Sequence, residues 1–580
     1  MLGARGPQRG LFEADAIYLD FVGPGSFYGF LAGQRGQLFR DEDFAGLYHQ
    51  KWGRPSVAPS LLATALVLQW HDRVSDDEAR RRAAYDLQWK VALGVPVEEK
   101  PFAKSTLQEF RAQLVVHEEQ GKIFRRSLDL AKKRGRLKGK LRLALDTTNI
   151  LGRGAVKDTY NLLADGVVLV LRVLARQAGV GVEAYGESRG YGRYVQGSSL
   201  KGEAAINWDD AGERRRFLAS IVADVDRLLE EVRAARGQLP EGSAEDRALA
   251  DAAGLLARVV QQDIERQADG PALRQGVARD RMPSVHDPEM RHGRKSKAKR
   301  FDGHKVQVAT DTESQLITDV AVLAGNAPDR EQALAVVEAS ELLTGCAVAE
   351  TIGDCAYGDG ATRQQFADAG RTLVAKVASV TNQGRFPKTR FRIDLDAQTC
   401  TCPAGQVSRL RQRPEAGPVF RFVASVCLAC PLRSQCVRGR GGRTIQLHPQ
   451  EALLQAARVF QASVAFRPYR ALRQVAEHRL ARMVQLGIRQ ARYRGTAKTL
   501  FQAFMVAAVA NLTLIAASSG PNWRPLVLAA WLSALSLALR AHSAGISGTE
   551  RPTAAAHPPL GFLTPAPAGA FKLVGSRPDF

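Results

Sequence analysis

Negative charge is the first thing this sequence has too little of. Only 59 Asp and Glu stand against 81 Lys and Arg in 580 residues, for a formal charge of +22 and a pI near 10.0. Such a deficit favours a polyanionic partner, nucleic acid ahead of a membrane surface. Cysteine is also scarce, and seven in a chain of this length argue against a secreted scaffold held by disulfides. Long apolar runs are nearly lacking. The one at residues 525–539 is too short for a bilayer span, and residues 1–10 are polar and Arg-bearing, unlike a signal peptide. What is left is a cytoplasmic, nucleic-acid-handling protein of more than one domain, long enough to bury a sizeable core.

The stretch Leu141-Arg142-Leu143-Ala144-Leu145-Asp146-Thr147-Thr148-Asn149-Ile150 organises the rest. It alternates apolar and small residues over strand length and runs into a carboxylate followed by small polar groups. A charge ending a buried strand must be solvated, paired or metal-bound, because an isolated buried carboxylate is costly. Taken alone, such an Asp most simply starts a turn. The device recurs, however: Thr351-Ile352-Gly353-Asp354-Cys355-Ala356-Tyr357 is a second short strand ending in Asp and a Gly-rich turn. Glu477 sits later in a long helical pattern. Two strand-end aspartates and one helical glutamate are what a two-metal phosphodiester site needs.

Around these acids the chain divides. After a breaker-rich loop at Gly53-Arg54-Pro55, helices are expected over 60–71 and from a capping box at Ser75-Asp76-Asp77-Glu78 to about Leu93, with Gly94 as the stop. A third helix, bearing Phe110 and Arg111, is expected from a box at Ser105-Thr106-Leu107-Gln108. This helical part, residues 1–125, reads as a DNA-binding or dimerising module, basic at Arg80, Arg81 and Arg82, the plain alternative being solvated charge. Helical spacing over 212–236 and 243–267 predicts an antiparallel hairpin inserted, at about 155–290, after the Asp146 strand. A basic run at 291–300, read as a solvated linker, leads to strands over 303–310 and 316–323. A helix over 330–343, capped from Gly325-Asn326-Ala327-Pro328-Asp329, precedes the Asp354 strand. That order is a mixed α/β sheet in which the first and fourth strands lie side by side, bringing Asp146 and Asp354 together.

Residues 381–449 are β-like and carry Cys400, Cys402, Cys427, Cys430 and Cys436. A CxxC with a third thiol six residues on can meet on one tetrahedral ion. In a reducing compartment zinc fits better than a disulfide, with Cys402 or Cys400 as fourth ligand; free cysteines and an iron–sulfur cluster are the alternatives. Helical periodicity then runs from Glu451 to Leu486, with Arg473 one turn before Glu477. Arg489, Arg492, Arg494 and Lys498 form a basic turn suited to phosphates, placed over the DNA flanking the site. An almost wholly apolar helix, 499–516, should pack on the sheet, and residues 541–580 read as a disordered tail.

Taken together, Gly53-Arg54-Pro55, Ser75-Asp76, Phe110-Arg111, Leu145-Asp146-Thr147-Thr148, Gly303-His304-Lys305, Gly325-Asn326, Gly353-Asp354-Cys355-Ala356-Tyr357, the 427–436 cysteines and Arg473 through Arg492-Tyr493-Arg494-Gly495 resemble a bacterial insertion-sequence transposase of the DDE type. The resemblance covers roughly residues 53–512. In a Tyr, Arg, Glu, Lys signature of such families, Arg473 and Glu477 match, whereas Arg470 stands at the Tyr position beside Tyr469, and Val484 at the Lys position near Arg482.

The resemblance implies a ribonuclease-H-like catalytic domain, here residues 136–380 and 450–518. It implies Asp146, Asp354 and Glu477 as ligands of two Mg²⁺ (or Mn²⁺) ions, and cleavage at terminal inverted repeats followed by strand transfer into target DNA. It also implies a homodimer on paired ends and no membrane. Arg473, Arg489, Arg492, Arg494, Lys498 and Lys305 are the expected DNA contacts; Cys402, Cys427, Cys430 and Cys436 are the expected zinc ligands. Two other readings are a DNA-binding regulator, such as an inactive domesticated copy, and a nuclease on the same fold that does not rejoin ends. The three acids argue against the first, because a pure binder gains nothing from carboxylates facing phosphates.

Overall fold

The computed structural model describes residues 1–518 apart from 6–12, 50, 297, 380 and 413–416. The apolar run at 525–539 and the tail at 541–580 lie outside the described residues.

The N-terminal part is helical, as its caps predict, with two differences. Helix α1 spans Pro59–Asp72 and α2 spans Asp76–Tyr85, capped by the Ser75 hydroxyl, which accepts from the Glu78 amide. The expected helix up to Leu93 is broken at Asp86. Its carboxylate accepts from the Gln88 and Trp89 amides and starts α3, Leu87–Leu93, which Gly94 ends in the left-handed region. Helix α4, Lys104–Val116, begins before the expected box, with Ala103 and not Ser105 at its cap. Leu66, Phe110 and Phe124 belong to the same continuous core as Leu143, Val306 and Met505. The boundary at residue 125 is therefore no break in packing.

The central sheet has six strands: β1 (Leu141–Leu151), β2 (Arg291–Arg294), β3 (Arg300–Asp311), β4 (Ile317–Ala324), β5 (Val348–Gly353) and β6 (Leu373–Ala375). β1 pairs in parallel with β5 and β5 with β6, while β3 lies antiparallel on the other edge of β1 and itself pairs with β2 and β4. The first and fourth of the strands expected from the sequence are thus neighbours. The run at 291–300 is not a free linker; its first half is strand β2.

Three long helices, Thr159–Gln177, Ala211–Arg236 and Ala244–Asp263, fill the expected insertion and bury their own core around Leu163, Leu171, Val225 and Leu256. The last turn expected of the third helix is instead a strand, Ile264–Gln267, paired with Gly270–Leu273. Buried Ile264 and the two-residue Ala268-Asp269 turn, followed by Gly270 at φ 115°, favour a hairpin there. Residues 392–446 contribute a separate five-stranded antiparallel sheet around Phe391, Cys400, Phe420 and Ile445.

The long helix expected from Glu451 breaks at Ser463, whose backbone is extended. It becomes Glu451–Ala462 followed by α5, Arg467–Gln485, with Pro468 in the first turn, where its missing N–H costs nothing. Helix α6, Thr496–Ala517, packs on β4, α1 and α5 and is mostly buried. Among the described residues it alone is long and apolar enough to cross a membrane. Its Asn511 clamps the start of β4, accepting from the Ile317 amide at 2.9 Å and donating to the Ile317 carbonyl at 2.8 Å.

Candidate active site

Asp146 is not at the end of its strand. β1 continues to Leu151 because β3 pairs with it through Leu151↔Gly303, whereas the parallel pairing with β5 stops at Ala144↔Ile352. Asp146 therefore lies just past the parallel pairing, in the middle of the antiparallel one, where the sheet opens a cleft beside the end of β5. Asp354 follows β5 directly, and its carboxylate accepts from the Ala356 amide at 2.8 Å, capping the short turn Cys355–Tyr357. Glu477 comes from α5, which packs across β1 and β3. Its carboxylate pairs with Arg473 at 2.6 Å, one turn earlier on the same face.

All three acids line one cavity of about 630 Å³, together with Thr147, Asn149, Arg473 and Arg489. Burial pushes the Asp146 carboxyl up to about 6; the Thr147 amide opposes this, Asp354 adds to it, Arg473 subtracts and Glu477 adds again. Tyr357, buried behind Asp354, takes a hydrogen bond from the Gln307 amide at 3.1 Å, and burial holds its hydroxyl far above its ordinary value.

The basic residues expected to hold DNA separate into three groups. Arg473 and Arg489 line the cavity itself, and Arg489 donates to the Asn149 side-chain oxygen at 2.6 Å. The basic turn thus starts beside the cavity: Ala491 donates to the Leu151 carbonyl and Leu151 to that of Arg489, so the turn pairs in parallel alongside the end of β1. Arg494 and Lys498 are exposed. Arg492 is used internally: its guanidinium donates to the Val74 carbonyl at 3.0 Å and lies 4.6 Å over the Trp70 ring. Lys305 also lines the cavity, but its ammonium donates at 2.7 Å to both the Ala327 carbonyl and the Asp329 carboxylate. Asp329 therefore holds Lys305 and does not cap the next helix, which begins only at Ala333.

Arg111, on α4, connects motifs far apart in the chain. It donates to the Tyr493 hydroxyl at 2.6 Å and to Asp76 at 2.8 Å. Burial pushes Asp76 up, but Arg111, Gln69 and Gln108 outweigh it and hold the carboxyl below its ordinary value. Arg294, Lys295, Phe301, Asn149 and Asp329 also line the cavity and were not picked out from sequence. The available signal was the pair of short alternating segments around a polar turn at 291–303, which is a hairpin pattern.

Cys402, Cys427, Cys430 and Cys436 line a second, small cavity of about 30 Å³, beside Phe386 and Arg433. Cys402 sits in a tight turn, its amide donating to the Gln406 carbonyl at 2.8 Å. Cys400 lies instead in the core of the small sheet, where burial raises its thiol to about 11. Cys436 is raised by burial against the pull of Arg443, with Cys427, Cys402 and Cys430 contributing. Among the described residues no group of three or more His, Cys, Asp or Glu side chains is placed so that it could hold a metal ion.

Comparison with known proteins matches a family model for a transposase DDE domain over residues 401–516, and one for a transposase domain (DUF772) over residues 34–113. Two separate segments of the chain are thus similar to transposase domains, the later one to a DDE domain. The DDE match takes in Glu477, α6 and the four cysteines of the small cavity, and the other takes in α1 to α3 and most of α4. Asp146 and Asp354 fall in neither matched segment. No curated protein and no solved structure matches the chain.

Proposed function

We propose that the protein cuts DNA at the terminal inverted repeats of its element and joins the ends to target DNA, on a ribonuclease-H-like sheet, with Asp146, Asp354 and Glu477 as the catalytic acids. One observation carries the reading: three carboxylates from three separate elements line one cavity, and burial and mutual repulsion keep Asp146 near 6. A site that penalises its own charge in this way favours cations between its acids. Oxygen donors of this kind suit Mg²⁺ or Mn²⁺. Were Asp146, Asp354 and Glu477 to hold two such ions, these would supply positive charge for activating an attacking oxygen and stabilising a leaving one.

The chain's own residues do the rest. Arg473 screens Glu477 and orients it along α5. Arg489, held by Asn149, presents a guanidinium at the cavity wall, and Arg494 with Lys498 extends the positive surface outward. Such contacts set the register of the DNA without reading its sequence. Lys305 and Arg492 act at one remove, by fixing the Asp329 turn and by fastening the basic turn to α1. Cys402, Cys427, Cys430 and Cys436 line one small cavity, and a structural zinc ion there would require their thiols to close in from the positions they hold in this structure. Two copies of the chain on paired ends complete the working assembly.

The test uses purified protein, labelled DNA from the flanks of its own gene, a target plasmid and Mg²⁺ or Mn²⁺. We expect nicking at the repeats and covalent joining to the plasmid. Glu477→Gln should abolish both while leaving DNA binding in place. Cleavage that survives loss of Glu477 would sink the assignment; cleavage without joining would make the protein a nuclease.

A further inference from the structure

The hairpin formed by β2 and the start of β3 stands over the active-site cavity, and its two ends differ sharply in how their charges are held. At its root each basic side chain has a partner. Arg291 donates to the Asp280 carboxylate at 2.6 Å and to the Pro288 and Met290 carbonyls, and His292 pairs with Asp302. Gly293 faces the Phe301 ring and the Gly325 carbonyl so closely that a Cβ would collide with both. The root is therefore rigid.

At the tip, Arg294, Lys295, Lys299 and Arg300 are all exposed, and among the described residues none of their side chains has a hydrogen bond or an ion pair. The turn is closed by Lys295 donating to the Lys299 carbonyl at 2.8 Å and by the Ser296 hydroxyl, which accepts from the Lys299 amide at 3.1 Å. The register places Arg294 directly opposite Arg300. Like charges on a cross-strand pair repel, with Cβ atoms roughly 5 Å apart, so this alignment costs stability unless an anion lies between them. Arg294 and Lys295 also line the cavity of Asp146, Asp354 and Glu477. The acids do not neutralise them: Glu477 is paired with Arg473, and Asp146 is turned to the Thr147 amide. A merely solvated run has no reason to be fixed in this register at the mouth of that cavity.

We infer that the hairpin tip is a phosphate clamp: Arg294 and Arg300 close on one backbone phosphate of the DNA strand entering the site, and Lys295 takes the next. Planar guanidinium groups grip phosphate oxygens two at a time, so a facing pair can surround one phosphate. The contact is blind to sequence and holds the strand beside the carboxylates. The inference rests on the DNA-cutting reading above, and its test is separable from it.

Binding is measured by fluorescence anisotropy with the full chain carrying Glu477→Gln, so that no DNA is consumed. The probes are an element-end duplex and an unrelated duplex, each titrated from low to moderate salt. Arg294→Ala with Arg300→Ala should weaken both equally and flatten the salt slope by about 0.9, the value for one phosphate contact. Lys295→Ala should flatten it by a similar step of about 0.9. The melting temperature of the free double variant should hold or rise, because a repulsion has been removed. An unchanged slope overturns the clamp, and so does a lowered melting temperature with no change in slope, which would mark a structural role. If the unmutated chain binds DNA but cuts nothing, the catalytic reading fails while the slope still decides the clamp.

Discussion

Replacing Asp146 by Asn removes a charge that burial in the cavity disfavours. The carboxyl is raised from an ordinary 3.8 to about 6, chiefly by burial and then by Asp354 and Glu477. A carboxyl raised on folding binds its proton more tightly in the native state, so it supports the fold fully below about 4. That support is lost as the pH rises to about 6 and stays lost above it. The gap corresponds to at most about 3 kcal/mol for the ionised group at neutral pH. Asn keeps the shape and carries no charge. With chelator present, the variant should therefore be more stable than the parent at pH 7 to 8, by roughly 1–3 kcal/mol after allowance for residual solvent, and should match it near pH 4. Thermal melts across that range read the difference directly. Added Mn²⁺ should stabilise the parent more than the variant, because ligand binding to the native state shifts its stability by mass action. A variant that is less stable at every pH, or a gain that does not depend on pH, would refute the account of Asp146 as a strained carboxylate awaiting a cation.

Cys427→Ser together with Cys430→Ser should release zinc, read by metal analysis, and open residues 392–446 to protease while the central sheet stays folded. Protein as purified that contains no zinc would dismiss the site. Arg492→Ala and Arg494→Ala should behave differently. The first loses the Trp70 face and the Val74 carbonyl, about 1–2 kcal/mol of stability in a denaturant melt. The second leaves stability alone and flattens the salt slope of DNA binding by about 0.9. Equal effects on both quantities would mean that the turn is not divided as described. Asn511→Ala strands the buried amide and carbonyl of Ile317 and should destabilise by about 2–4 kcal/mol in the same melt; a cost under about 0.5 would show that β4 is not held there.

Much of the site was written locally. Apolar alternation into Asp146, the Gly353-Asp354 turn and the one-turn spacing of Arg473 and Glu477 depend on neighbours in the chain, and such patterns survive into any fold that uses them. The same holds for the adjacency of the first and fourth strands, since connection rules leave few topologies for that element order. The caps were less legible where two signals compete, as at Asp86, which ends one helix and begins the next, and at Ser463, where an extended residue splits a periodic run.

Other properties were decided by tertiary structure, because they depend on partners remote in sequence. Asp146 lies inside a strand because β3 runs on beside β1 where β5 does not. Arg492 is tied to α1 because Val74 and Trp70 meet it across more than four hundred residues. Lys305 is held by Asp329, and Arg111 joins Asp76 to Tyr493. A basic residue on a helix or turn reads the same whether it faces solvent, a phosphate or a carbonyl. Which it faces is set by packing between distant elements, and the sequence of the turn alone contains no trace of that choice.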